Sequence, residues 1–314
     1  MSIAPRSPWS LILAGGDGVR LRSLTRAITG EPCPKQFCSL LDGETLLDRT
    51  RRRVDLLTRS DHQAIVVTRA HEPFYRLLVR DLAPGRLIVQ PHNRGTAAGV
   101  LYPLLRIADL AGDVPVAIFP SDHFVDDDRA FVAAAGEALH AVRTRPELVV
   151  LLGIEAGTPE TEYGWIEPDD RPLRMDNALV FPIRHFWEKP SPELAIALLA
   201  RRCLWNSFVM VGRVSAFVEL IAAGLPELVA AFRPLRRALS TSREPFVAER
   251  IYATLPSIDF SDRVLVPGAS RLATVRVKGI EWSDLGNMER ILATLRRSGG
   301  RPRWMDQVAL PVAG

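Results

Sequence analysis

The chain has 314 residues, 47% of them hydrophobic and 24% charged, with a formal net charge of +4. That length suits one large α/β domain or two modest ones, and no apolar run approaches the ~20 residues of a membrane span. A charge this small and evenly spread argues against a nucleic-acid partner, and the N-terminus lacks a leader's basic-then-apolar layout, so no membrane role is expected.

Cys33, Cys38 and Cys203 are scattered and lack metal-binding spacing, which fits a reducing cytoplasm. Only three of the 40 basic residues are lysines: Lys35, Lys189 and Lys278. Lysine is a compact point charge where arginine is a planar fork. Two of the three lysines fall inside the motifs described below.

Residues 9–14 read as a buried strand that ends in Gly15, Gly16 and Gly18. Glycines let backbone N–H groups approach a bound anion, and Arg20 and Lys35, the latter in Pro34-Lys35-Gln36-Phe37, add positive charge. The arrangement suits a cradle for a triphosphate. It lacks the third glycine of the dinucleotide fingerprint and the Gly-Lys-Ser/Thr of a P-loop.

Helical spacing follows at 44–58, where Arg51, Arg52 and Arg53 read as a solvated face. Residues 63–68 read as a strand, 71–82 as a helix, 87–90 as a strand and 96–110 as a helix. The series continues with a strand at 114–119, a helix at 129–143 and a strand at 148–153. Strands alternating with helices predict an α/β fold with a doubly wound, mostly parallel sheet, whose ligands bind beyond the carboxyl ends of its strands. The second half shows strands at 163–168, 178–188, 203–212 and 272–278. Helices are expected there at 192–201, 214–223, 226–239 and 285–297, and 299–314 reads as a tail packed on the surface.

Four further fragments carry chemistry. Gln90 has donor and acceptor capacity for a base edge, and Gly95 in Asn93-Arg94-Gly95-Thr96 admits a flat ring to the backbone; the same loop also reads as a polar turn with a threonine cap. Asp122, after the strand 114–119, suits Mg²⁺, while His123 reads as structural and Asp126-Asp127-Asp128 as a helix start. Glu188 and Lys189 suit sugar hydroxyls and a sugar phosphate, and equally a surface ion pair; Asn206 is an amide suited to hydroxyls. Asp284 reads as a helix cap or a second metal ligand, and the fragment alone favours the cap.

Taken together, Leu13-Ala14-Gly15-Gly16, Gly18, Arg20-Leu21, Pro34-Lys35-Gln36-Phe37, Asn93-Arg94-Gly95-Thr96, Pro120-Ser121-Asp122-His123, Glu188-Lys189-Pro190, Trp205-Asn206-Ser207 and Trp282-Ser283-Asp284 resemble the sugar-1-phosphate nucleotidyltransferase family. The likeness is greatest to its mannose-1-phosphate guanylyltransferase branch and runs over 9–295. It implies one nucleotidyltransferase domain at 1–298, with a nucleotide-binding half at about 1–155 and a sugar-binding half at about 156–298. It implies that Leu13, Ala14, Gly15, Gly16, Gly18, Arg20, Lys35, Gln90, Asn93, Gly95 and Thr96 bind the nucleotide. Gly164, Glu188, Lys189 and Asn206 would hold the sugar phosphate, with Asp122 and Asp284 on Mg²⁺ and Arg20, Lys35, Asp122 and Lys189 catalytic.

The implied reaction moves a nucleotidyl group, GMP from GTP, to a hexose 1-phosphate such as mannose 1-phosphate. A homo-oligomer is compatible with the resemblance. Because the chain ends soon after 298, no additional isomerase activity is expected. Three departures stand out: extra residues at 25–33, Glu162 where the family generally has glycine, and Phe208 where it has glycine after Asn-Ser. They leave open another nucleotide and sugar pair, with dTTP or UTP, and a non-catalytic nucleotide-sugar-binding protein.

Overall fold

A computed structural model of the chain describes residues 7–175 and 178–306. Its centre is Trp9–Ala14 (β1), a strand whose side chains alternate between two apolar cores: Leu11 faces one, Ile12 and Ala14 the other. The same alternation repeats in Gln63–Thr68 (β2) and Pro115–Pro120 (β4), which flank β1 in parallel; Leu87–Gln90 (β3) lies outside β2. A strand buried on both faces needs a continuous apolar run, which is why these segments were legible without polar alternation.

The remaining strands are Phe124–Val125 (β5), Val149–Glu155 (β6), Gly164–Pro168 (β7), Val180–Glu188 (β8), Leu204–Arg213 (β9), Leu272–Val277 (β10) and Trp282–Ser283 (β11). The main sheet runs β3-β2-β1-β4-β9-β6-β10-β8-β7. Seven of its nine strands share one direction, and β8 and β9 oppose them, so the expected mostly parallel sheet is present. β7 also pairs with β9, closing β9, β6, β10, β8 and β7 into a ring. This closure, invisible in any local pattern, carries the start of β7 and the end of β8 toward β9.

The helices are Arg22–Thr29 (α1), Leu46–Asp55 (α2), Glu72–Tyr75 (α3), Gly95–Ala111 (α4), Asp128–Thr144 (α5), Pro192–Ala200 (α6), Val214–Gly224 (α7), Pro226–Ala231 (α8), Arg233–Arg236 (α9), Glu244–Thr254 (α10) and Met288–Ser298 (α11). α4, α7 and α10 cover one face of the sheet, and α2, α5 and α11 the other. The result is the expected three-layer, doubly wound arrangement. No helix among the described residues is long and apolar enough to cross a membrane.

Several expectations change. The helix expected at 71–82 is one short α3 followed by turns. The stretch 226–239 breaks into α8 and α9 at Phe232, just before Pro234, whose ring cannot continue a helix past its own first turn. Arg53 is not on a solvated face: it is 2% exposed, donates from Nε to Asp128 Oδ1 at 2.5 Å and lies over the Phe131 ring. Arg51 and Arg52 pair with Asp81 and Glu44 at the surface. α1 and α10 lie outside the expected helices: α1 is only eight residues long, and α10 shows no sustained apolar stripe. The tail is packed as far as Trp304, whose indole donates to the Leu40 carbonyl; 307–314 lies outside the described residues.

Candidate active site

The loop after β1 is held in shape by the second motif. Gln36, buried, donates from Nε2 to the carbonyls of Ala14 and Gly16 at 3.0 and 2.7 Å. Gly18 has φ +56°, and a Cβ there would lie 3.0 Å from the Lys35 nitrogen, so glycine lets the two motifs meet. Phe37 anchors the far side against His71 and Tyr75. Pro34-Lys35-Gln36-Phe37 therefore works as a clamp on the glycine loop as well as a source of charge.

Lys35 turns its ammonium to the Asp122 carboxylate and to the backbone of Asp284. Its Nζ lies 3.2 Å from Asp122 Oδ2 and donates to the Asp284 carbonyl oxygen. The two aspartates, far apart in sequence, are joined by the ribbon of β5 and β11, which pairs Phe124 with Ser283. Asp284 is not a helix cap. Asn287 caps α11, its Oδ1 accepting from the Arg290 nitrogen at 2.9 Å. Asp284 Oδ1 instead accepts from Gly286 N, Arg290 Nη1 and the Tyr163 hydroxyl. Burial opposes its ionisation, but Lys35 and Arg290 outweigh that and hold the carboxyl below the usual range.

His123, read from sequence as structural, lies beside Asp122, with Nε2 3.6 Å from its Oδ1. Burial depresses its imidazole to about 4, so it is neutral, and it meets Trp282 edge-on. Burial pushes the thiols of Cys33 and Cys203 up to about 11 and that of Cys38 up to about 12, which removes any activated cysteine from the described residues.

At the ring of strands, Gly164 faces Glu188 across β7 and β8. A Cβ on Gly164 would sit 2.8 Å from Glu188 Oε2 and 3.3 Å from Asn206 Cβ, so glycine lets these two polar groups converge. Glu188 lies 3.5 Å from Lys189 Nζ. Burial, with Asp259 and Asp262 nearby, raises its carboxyl above the ordinary value, and Lys189 opposes the rise.

One cavity of about 570 Å³ gathers these groups. Leu13, Gly15, Gly16, Arg20, Gln90, Asn93, Gly95, Thr96, Asp122, Gly164, Glu188, Lys189, Asn206 and Asp284 all line it. Ala14, which is buried, and Gly18 and Lys35 are not among its lining residues, although Lys35 reaches Asp122, which is.

Gly95 has a different use from the one expected. A Cβ there would fall 2.3 Å from the Ile258 carbonyl oxygen, so the space belongs to the backbone of 257–261 rather than to a ring. Thr96 ties down the same segment, its hydroxyl accepting from Phe260 N at 2.7 Å, and is not a helix cap. Ser257, Asp259 and Ser261 thereby become a wall of the cavity that no motif in the sequence announces.

Asp17 was also missed. It accepts from Asn93 Nδ2 at 2.9 Å and pairs with His71 at 3.0 Å, bridging the glycine loop to the loop that follows β3. Its position between Gly16 and Gly18 was the available signal.

Three non-glycine residues at the site adopt left-handed backbone: Lys189 at φ +47°, Phe208 at φ +57° and Leu285, beside Asp284, at φ +48°. Each costs about 1–2 kcal/mol, and such strain gathers where side-chain placement matters. The geometry at 208 suits glycine; here an aromatic ring lines the cavity and meets Phe260 edge-on at 6.0 Å.

Glu162, a second departure, pairs with Arg20 at 2.8 Å, the Arg20 side chain 60% and the Glu162 side chain 49% exposed. The pair competes with any anion for Arg20. An exposed pair contributes about 0.2–1 kcal/mol. Glu162→Gln is therefore expected to tighten binding of a nucleoside triphosphate about two- to fivefold at low salt, read by calorimetry, and a weaker affinity would contradict this role.

A nucleotidyl transferase family model matches residues 9–297. The chain belongs to that family. Among curated proteins, this nucleotidyl transferase is 29% identical over 282 residues to the alginate biosynthesis protein AlgA of Pseudomonas fluorescens, covering 88% of this chain and 56% of AlgA. It is 26% identical to the mannose-1-phosphate guanylyltransferase of Escherichia coli, covering 88% of this chain and 59% of that protein. The chain thus spans somewhat more than half the length of these relatives. Among solved structures, a Thermus thermophilus protein named mannose-1-phosphate geranyltransferase is 30% identical, with TM-score 0.77, covering 91% of this chain and 79% of that one. A UDP-glucose pyrophosphorylase at 16% identity and TM-score 0.54 shares the fold.

Proposed function

We propose that this nucleotidyl transferase moves GMP from GTP to mannose 1-phosphate, giving GDP-mannose and pyrophosphate. The observation that carries the reading is one cavity lined by a glycine loop with Arg20 and Gln90, by Glu188, Lys189 and Asn206, and by the carboxylates Asp122 and Asp284. The names of the relatives, two of which specify mannose 1-phosphate, add the choice of substrates.

In this reading a phosphate oxygen of the hexose 1-phosphate attacks the α-phosphorus of the nucleotide. The bond to the bridging oxygen of the β-phosphate breaks, and pyrophosphate leaves with that electron pair. The attacking phosphate is already anionic at neutral pH, so no general base is needed. The chain's residues bind, orient and neutralise charge. The loop N–H groups, Arg20 and Lys35 hold the triphosphate; Gln90 faces the base, its Oε1 fixed by the Tyr252 hydroxyl at 3.1 Å. Lys189 takes the sugar phosphate, and Glu188 and Asn206 the sugar hydroxyls.

Nucleotidyl transferases generally use a divalent metal. Asp122 and Asp284 fit Mg²⁺, because both aspartates line one cavity and offer hard carboxylate donors there, and Mg²⁺ completes its shell with water and substrate phosphates. Among the described residues no group of three metal-ligating side chains gathers anywhere, so the protein would supply only these two. When bound, the metal would neutralise charge on the phosphates.

The division of the cavity is testable by kinetics. Lys189→Ala is expected to raise KM for mannose 1-phosphate about tenfold or more with the KM for GTP little changed, and Lys35→Ala to weaken GTP use first. Equal effects of both variants on the same substrate would overturn the assignment.

A further inference from the structure

α9 and α10, with the turn between them, enclose a second concavity of about 810 Å³ that shares no residue with the cavity above. Four arginines ring it: Arg233, Arg237, Arg243 and Arg250. No acidic residue lines it. Its floor is apolar, made by Ala231, Pro234, Ala238, Val247 and Ile251.

What sets these four guanidinium groups apart is that they share one cavity. All four are exposed, and among the described residues none has a salt bridge, a side-chain hydrogen bond or an aromatic face. Beside α10, other arginines are paired, Arg106 with Glu244 and Arg69 with Glu249. The acids of α10 are thus turned away from the groove. Glu244 is buried against Tyr102 and Arg106, and Glu249 is held by Arg69 and His92. Four like charges around one hollow repel one another, and an anion relieves that repulsion.

We propose that this groove binds a soluble small molecule carrying two or more phosphate groups. Guanidinium forks match phosphate oxygens in pairs, which lysine would not do. The apolar floor accommodates a flat or cyclic body attached to those phosphates, and the volume lies in the range of small-ligand sites. A nucleic acid fits less well, because no aromatic side chain lines the groove for base stacking.

The test uses the full chain and two probes, ATP for charge plus body and inorganic triphosphate for charge alone. Calorimetry is run on the wild type and on Arg237→Glu/Arg243→Glu, whose exposed positions leave the core untouched; an unchanged melting temperature establishes that the variant folds. The wild type is expected to take one more equivalent of ATP than the variant, with affinity for that equivalent falling at least roughly tenfold on charge reversal. Inorganic triphosphate should compete for the same equivalent. Arg233→Gln/Arg250→Gln should weaken it without reversing charge. Identical ATP stoichiometry and affinity in wild type and charge-reversed protein would overturn the proposal. So would tighter binding of a 15-nucleotide single strand, or of vesicles rich in anionic lipid, than of ATP at this groove. The comparison does not depend on turnover, so it stands or falls separately from the proposed reaction.

Discussion

Asp122→Ala is expected to lower kcat for nucleotidyl transfer roughly 10³-fold while leaving the fold intact. The carboxylate is 27% exposed and makes one ion pair to Lys35 at 3.2 Å and a longer contact to neutral His123, so its loss costs little stability. Its proposed work lies in charge neutralisation at the phosphates, where several kcal/mol of transition-state stabilisation are at stake and about 1.4 kcal/mol is tenfold in rate. The rate is to be measured by pyrophosphate release at saturating substrates, with circular dichroism and thermal melting as the check on folding. A variant that turns over within a few-fold of the wild type would remove Asp122 from the metal site.

Gly95→Ala is expected to destabilise the protein by about 2–5 kcal/mol. Gly95 has φ +80°, where an L side chain costs about 1–2 kcal/mol, and overpacking adds about 1–3 kcal/mol. The added methyl would meet backbone on the far side, with the Ile258 carbonyl oxygen at 2.3 Å and its nitrogen at 2.6 Å. Backbone cannot swing aside as a side chain can. The bonds from Ala97 N to the Ile258 carbonyl and from Ile258 N to the Arg94 carbonyl, both 3.1 Å, must break or stretch. The wall of 257–261 then moves, and nucleotide affinity should fall with stability. The melting temperature should drop by roughly 3–8 °C. Gly16→Ala is the control, because its Cβ would meet nothing within 4 Å, and its melting temperature should hold. Equal melting temperatures for the two variants would contradict the packing argument.

Much of the fold was legible because its signals are local. β2 and β3 match their expected bounds, and the helix starts at Thr45, Asp127 and Ser191 are capped by their own side chains. What was not legible depends on distant partners. Arg53 reads as a surface residue until Asp128 and Phe131 are packed over it. Asp284 reads as a cap until Asn287 takes that place and the ribbon with β5 turns it toward Lys35.

The residues that line the candidate site were mostly named from sequence, yet several of their supports were not. Gln36 was seen as part of a motif, but its two bonds to the loop carbonyls depend on a clamp formed across α1. Asp17 lies inside the glycine loop but carries no signal of its partners, and the wall at 257–261 lies outside every motif. Their contribution rests on hydrogen bonds to Asn93 and Thr96, from segments that only the folded chain brings near.

Two of the three departures also take a physical meaning from the structure. Phe208 keeps a glycine-like backbone and narrows the cavity with its ring, and Glu162 occupies Arg20 until an anion displaces it. Neither touches the clamp, the carboxylates or Lys189, so both should tune which substrates bind more than whether transfer occurs.

The most direct test of the central claim is pyrophosphate release by the purified chain with Mg²⁺, crossing GTP, ATP, UTP, CTP and dTTP against mannose, glucose and galactose 1-phosphates. Turnover confined to GTP with mannose 1-phosphate is the predicted result. Turnover with a different pair would keep the mechanism and change the substrates. No turnover with any pair, by protein that still binds a nucleotide, would contradict the account and leave a nucleotide-sugar-binding protein in its place.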